Sequence, residues 1–113
     1  MALDVYLSKV RPIEEKRYAV VFTRNITHAL IPMAEYLKVY EPIWVPEENN
    51  IYQAKDLIPI LEKAITKMKK NPARCKKYNP KKAIGTYEEF LLFLSSYLEY
   101  CVKYPESFVS ISR

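Results

Sequence analysis

Apolar and polar residues alternate from the start of the chain. Leu3, Val5 and Leu7 interleave with Asp4, Tyr6 and Ser8, the period-two pattern of a strand buried on one face. A first strand over 2–10 is predicted. The polar, proline-bearing Arg11–Lys16 segment then leads into Tyr18–Thr23, a β-branched and aromatic run, so the chain turns and returns as a second strand over 17–24. Asn25 or Thr27 suits the N-cap of a helix whose apolar positions are Ile26, Leu30, Met33, Ala34 and Leu37. Pro32 is tolerated only within about the first turn, which predicts a regular helix from His28 to Val39.

Farther along, Pro42 and Pro46 bracket Ile43-Trp44-Val45, and the segment from Glu41 to Pro46 reads as an extended connector or a short edge strand. Leu57, Ile58, Leu61, Ile65 and Met68 share one face of a second helix within 51–70. Pro59 points to Asp56 as the cap of its well-formed part, 56–70. Asn71-Pro72 stops that helix, and a loop runs to Gly85, the one glycine of the chain, placed where a positive φ costs least. Thr86-Tyr87-Glu88-Glu89 is a capping box ahead of a third helix over 87–103. Pro105 ends it, and Phe108–Ser112 alternates again as a last strand. The order β-β-α-(β)-α-α-β in 113 residues predicts one α+β domain, a small, mostly antiparallel sheet with three helices packed on it.

Half of the residues are hydrophobic and 27% are charged, which excludes disorder of the whole chain. No apolar run approaches the roughly 18 residues of a membrane span, and the N-terminus lacks the order of a signal peptide. A soluble chain with no membrane partner is expected. Two cysteines, Cys75 and Cys101, and a single histidine make neither a disulfide framework nor a zinc site, so no metal or other cofactor is expected. Charge changes the picture more. Nine of the 18 basic residues fall between Lys63 and Lys82, in twenty residues without an acid, and the other nine against 13 acids leave −4 elsewhere. Such a block attracts phosphates by steering and counterion release. Its aromatic residue, Tyr78, suits stacking on a base beside Lys76, Lys77, Lys81 and Lys82. A solvated helix end and loop has the same composition, since lysines near a helix C-terminus complement its dipole.

His28 is the one imidazole. Beside Asn25 and Thr27 at a strand-to-helix junction, it suits a phosphate or carboxylate pocket built on free backbone N–H groups. The same residue types also serve as plain helix caps, with His28 bonding the backbone. General acid–base work needs an oriented partner that spacing does not identify, and catalysis is not expected. The sheet face bearing Asp4, Tyr6, Ser8, Ser110 and Ser112 suits either a small polar ligand or water. In the third helix, Phe90, Leu91, Leu94, Leu98 and Cys101 form one apolar stripe, and Phe93, Tyr97, Tyr100 and Tyr104 a second. The second suits packing beneath Trp44, or an interface with another copy in a homo-oligomer or with a host protein.

Several separated motifs carry a resemblance across the whole chain: Leu3-Asp4-Val5-Tyr6-Leu7, Asn25-Ile26-Thr27-His28 followed by Met33-Ala34, Trp44 with Pro46-Glu47-Glu48, Gly85-Thr86-Tyr87-Glu88, Tyr97-Leu98 with Cys101, and Val109 with Ser112-Arg113. In these the sequence resembles a family of small, uncharacterised proteins of tailed phages and prophages. It departs from that pattern at Ala29, Val45 and Ala83-Ile84, where Asn, Arg and Gly-Trp are expected. The resemblance implies a viral origin, with the host cytoplasm as the place of action, and no catalytic residue. The expectation is a non-enzymatic phage accessory protein acting by binding, as counter-defence, either by sequestering a nucleotide-like signal or by occluding a host defence protein. The alternatives are a nucleic-acid-binding module using residues 63–82 and a small nucleotide-processing enzyme centred on His28.

Overall fold

Leu3, Val5 and Leu7 are fully buried in β1 (Ala2–Ser8), as the alternation predicts. A computed structural model describes residues 1–9, 20–81 and 84–113; the end of the predicted first strand, the turn after it and residues 17–19 lie outside the described residues. The second strand, β2, runs Val20–Thr27, three residues past the predicted end. It pairs antiparallel with β1, and β3 (Phe108–Ser112) pairs antiparallel on the other side, giving the order β2-β1-β3. Because Val109 N–H bonds the Tyr52 carbonyl at 2.9 Å, β3 also meets the chain ahead of the long helix that starts at Ala54, with an isolated bridge between Gln53 and Phe108.

Between the strands lie α1 (Ile31–Tyr36), α2 (Tyr40–Trp44), α3 (Ala54–Lys70), α4 (Pro72–Lys76) and α5 (Tyr87–Lys103), with 3-10 turns at His28–Leu30 and Pro46–Glu48. The predicted helix from His28 to Val39 is therefore shorter and irregular. Its α-helical part ends at Tyr36, where Lys38 turns left-handed at φ 62°. Lys38 N–H then bonds the Glu35 carbonyl and Val39 N–H the Ala34 carbonyl, the reversed closing bonds of a helix C-terminus.

The expected extended connector over 41–46 is instead α2 and a 3-10 turn. Pro42 is the third residue of α2, where a helix does not use the N–H, and Pro46 opens the next turn. Burial of Ile43 and Trp44 offsets the cost of coiling. Similarly, Asn71-Pro72 ends α3 but also begins α4, with Asn71 Oδ1 accepting from Arg74 N–H at 3.4 Å. A third of the predicted basic loop, residues 72–76, is thus helical. The predicted second helix, α3, starts at Ala54 rather than at Asp56, whose carboxylate accepts the N–H groups of Tyr52 and Gln53 at 3.0 Å each.

α3 and α5 pack against each other, and α5 lies beneath β2. Thr86 caps α5, its Oγ1 accepting from Glu89 N–H at 3.1 Å, and α5 has the predicted bounds. The core joins Leu3, Val5 and Leu7 to Leu57, Leu61 and Met68 of α3 and Phe90, Leu94 and Tyr97 of α5. The fold is α+β, with one three-stranded sheet among the described residues. Among the described residues no helix is long and apolar enough to cross a membrane.

Candidate functional site

The nine predicted cations divide between helix and loop. Lys63, Lys67 and Lys70 stand at i, i+4 and i+7 on α3, one stripe about 10 Å long at 1.5 Å per residue. Lys69 is beside them, Arg74 and Lys76 are on α4, and Lys77 and Lys81 come after it. All eight are exposed, and Lys82 lies outside the described residues. Buried Cys75 ties α4 to the core, and burial pushes its thiol up against the opposing pull of Lys67. Asn79 Oδ1 accepts from Tyr87 N–H at 2.8 Å, and the Tyr87 hydroxyl donates to the Met68 carbonyl at 2.8 Å. The basic segment is thereby fixed to both long helices.

Only Lys76 among these eight pairs with a carboxylate of the described residues, Glu88 Oε2 at 3.3 Å. Its own backbone N–H, and next Lys76, hold the Glu88 carboxyl below its ordinary range. Lys67 Nζ sits 4.3 Å from the centre of the Tyr36 ring and donates to the Tyr36 carbonyl at 3.3 Å. Tyr78 stacks on that same Tyr36, centroids 4.8 Å apart and planes at 22°, and keeps 38% of its surface exposed. Tyr36 is the member of this group that the sequence does not disclose, because it precedes the basic block by 27 residues and is joined to it only by folding.

The pocket expected at Asn25, Thr27 and His28 is not built as predicted. Asn25 lies within β2, opposite Asp4, and donates its Nδ2–H to Asp4 Oδ1 at 2.7 Å across the open sheet face. Thr27 Oγ1 accepts from Ala29 N–H at 3.2 Å, and His28 N–H donates to the Met1 carbonyl at 3.2 Å. The backbone N–H groups of His28 and Ala29, two of the donors that would have met an anion, are therefore used. Trp44 Nε1–H donates to His28 Nδ1 at 3.0 Å, and Gly85 packs on Thr27 and Leu30. His28 thus faces the Trp44 core contact, whereas the contacts of Lys76 and Tyr78 lie on α5 and α1.

Nearby, Arg113 NH1 donates to the Trp44 carbonyl at 2.6 Å and to Glu47 Oε1 at 3.0 Å. Glu47's own backbone N–H, with help from Arg113 against slight desolvation, holds that carboxyl below its ordinary range. No sequence pattern signals this clasp, which joins residues 66 positions apart.

The second aromatic stripe, read either as packing beneath Trp44 or as an interface, is split. Phe93 and Tyr97 are core residues, 4% and 0% exposed, with Tyr97 stacked on Phe22 of β2 at 5.5 Å. Phe22 of β2 thus lies on Tyr97, whereas Trp44 meets Phe90, at 6.5 Å. Neither ring is available to a partner. Tyr100 and Tyr104 stay half-buried, stacked on each other at 6.3 Å, with Lys103 Nζ near both rings. The described residues contain no group of three metal-ligating side chains.

No protein-family model, curated protein or solved structure matches this chain.

Proposed function

We propose that this chain is an accessory protein of a tailed phage that acts by binding, and that its ligand is rich in phosphate, held on the face formed by α3, α4 and the residues after them. One observation carries the reading: seven of the eight described cations from Lys63 to Lys81 have no carboxylate of the described residues within ion-pair distance. A surface that merely needed solvation gains from interspersed acids, which cut self-repulsion. Here residues 63–81 contain no acid, and Glu88 of α5 is the one described carboxylate paired with them. Unpaired cations at this density raise the local potential, and a phosphate ligand releases its counterions on contact. The single imidazole is already engaged by Trp44 through Nδ1, which favours binding over chemistry.

Fluorescence anisotropy with a labelled oligonucleotide tests this reading. For three or four phosphate contacts, affinity falls about 20- to 50-fold between roughly 50 and 200 mM salt. Exchange of Lys69, Lys70, Lys77 and Lys81 for Glu abolishes binding while the circular dichroism spectrum is kept. Salt-independent binding, or a quadruple variant that binds like the parent, sinks the proposal.

A further inference from the structure

We infer that the ligand of this face is a single-stranded nucleic acid, with an unpaired base stacked on the free side of Tyr78; this rests on the phosphate-binding reading above. Three phosphate-bearing ligands compete for such a surface: a mononucleotide, a duplex and a single strand. A mononucleotide needs polar groups that converge in a concavity. The described cavities, of about 420, 180 and 280 Å³, lie between α1 and α2, beside Tyr104, and between Glu47 and β3. None of these is lined by the basic segment. Its cations are instead strung along the α3 stripe and then over α4 and the residues after it, which suits a chain of phosphates rather than one cluster.

Tyr78 decides between the two polymers. A duplex keeps its base faces stacked inside and offers this surface only its backbone, so an exposed ring contributes little. A single strand offers bases that stack on aromatic side chains whatever their sequence. Tyr78 is built for that use. Tyr36 backs one side of its ring at 4.8 Å, and Lys67, bonded to the Tyr36 carbonyl, fixes Tyr36 in turn. The ring is held in place before any ligand arrives, which lowers the ordering cost of stacking. In sequence Tyr78 directly follows the exposed Lys77, which pairs with no carboxylate of the described residues, so a cation lies next to the stacked base.

The test compares a labelled oligothymidylate, the matching duplex and unlabelled ATP, using the full chain at low salt. The single strand is expected to bind at least tenfold more tightly than the duplex, and millimolar ATP to compete weakly. Tyr78→Ala weakens the single strand about tenfold or more and leaves the duplex unchanged, whereas Tyr78→Phe keeps the parent affinity. Photo-crosslinking of the unaltered protein to a bromodeoxyuridine oligonucleotide, with the adduct mapped to Tyr78, gives a readout that does not depend on how a variant folds. Equal binding of strand and duplex, with no effect of Tyr78→Ala and no adduct on Tyr78, overturns this inference and leaves the phosphate reading standing. ATP binding as tight as the oligonucleotide overturns it in favour of a mononucleotide. No binding of any of the three overturns both.

Discussion

The indole N–H of Trp44 donates to Nδ1 of His28 at 3.0 Å, joining residues 16 positions apart. An indole can only donate, so Nδ1 must accept and the imidazole carries its hydrogen on Nε2. Trp44 is 1% exposed, and no water can replace the acceptor at no cost. His28→Ala therefore leaves a buried donor unpaired and is expected to lower unfolding free energy by about 1–3 kcal/mol. His28→Asn places an amide oxygen close to the position of Nδ1 and recovers most of the loss. Urea titrations monitored by the fluorescence of the single tryptophan measure both. Equal losses in the two variants would show that the hydrogen bond contributes nothing.

Gly85 has φ +139°, and a Cβ there would lie 2.9 Å from Thr27 Cγ2 and 3.1 Å from Leu30 Cγ. Backbone strain and overpacking act together, because Thr27 is β-branched and pinned by its bond to Ala29 N–H. Gly85→Ala is expected to cost about 3 kcal/mol and to lower the thermal midpoint by about 10 °C. Ile84→Ala, one residue away and 81% exposed in the parent, serves as the near-neutral control. A midpoint for Gly85→Ala within about two degrees of the parent contradicts the close approach.

The Gly85 turn, the α5 cap and the alternating strands are legible because each is written locally: a lone glycine after a loop, Thr86 three residues ahead of Glu89, apolar residues two apart. Proline misleads in two places for one reason. A proline breaks a helix that precedes it, yet it is well suited to the first turn of the next helix, so Pro42 reads as extended chain and Pro72 as a stop. Each sits in the first turn of a short helix. The basic face is legible as charge alone. Its aromatic half is not, since the Tyr36–Tyr78 stack and the Trp44–His28 bond exist only once distant segments meet, and periodicity carries no such information. The double apolar pattern of α5 is visible, but sequence does not say that Phe22 of β2 lies on Tyr97 or that Phe93 is buried.

Lys38 closes α1 at φ 62°, a conformation that costs most side chains about 1 kcal/mol and glycine almost nothing. Its exposed side chain is part of no described ion pair. Lys38→Gly is expected to stabilise the fold by about 0.5–1 kcal/mol, while Lys38→Val destabilises it by a similar amount. Chemical denaturation orders the three proteins as Gly, then Lys, then Val. The reverse order would mean that the turn is not left-handed in solution.

Tyr97 has its hydroxyl buried with no hydrogen-bond partner among the described residues, and burial pushes that phenol well above its ordinary value. Removing an orphaned polar atom relieves its desolvation cost. Tyr97→Phe should be neutral or stabilising by up to about 1 kcal/mol, with oligonucleotide binding unchanged. A loss of more than about 1 kcal/mol would reveal a partner for the hydroxyl.

Cys101 extends the same logic to pH. Burial raises its thiol from 9.0 to about 12, so the folded protein keeps a proton that the unfolded chain gives up. The stabilisation is complete below pH 9, where both states hold the proton, and is lost as pH rises from 9 to about 12. Each pH unit within that window removes about 1.4 kcal/mol. Buried Tyr97 and Tyr87, whose phenols are also raised, add to the fall in the same direction, so the thiol's share is read by difference. Cys101→Ala is expected to lose less stability than the parent between pH 9 and about 10.5, by about 1–2 kcal/mol. Thiol labelling supplies the independent check at about pH 8, where Cys75 and Cys101 are buried and should react at the rate at which the protein opens. Parallel stability curves for the two proteins, or immediate labelling of both thiols in the native state, would place Cys101 outside the core.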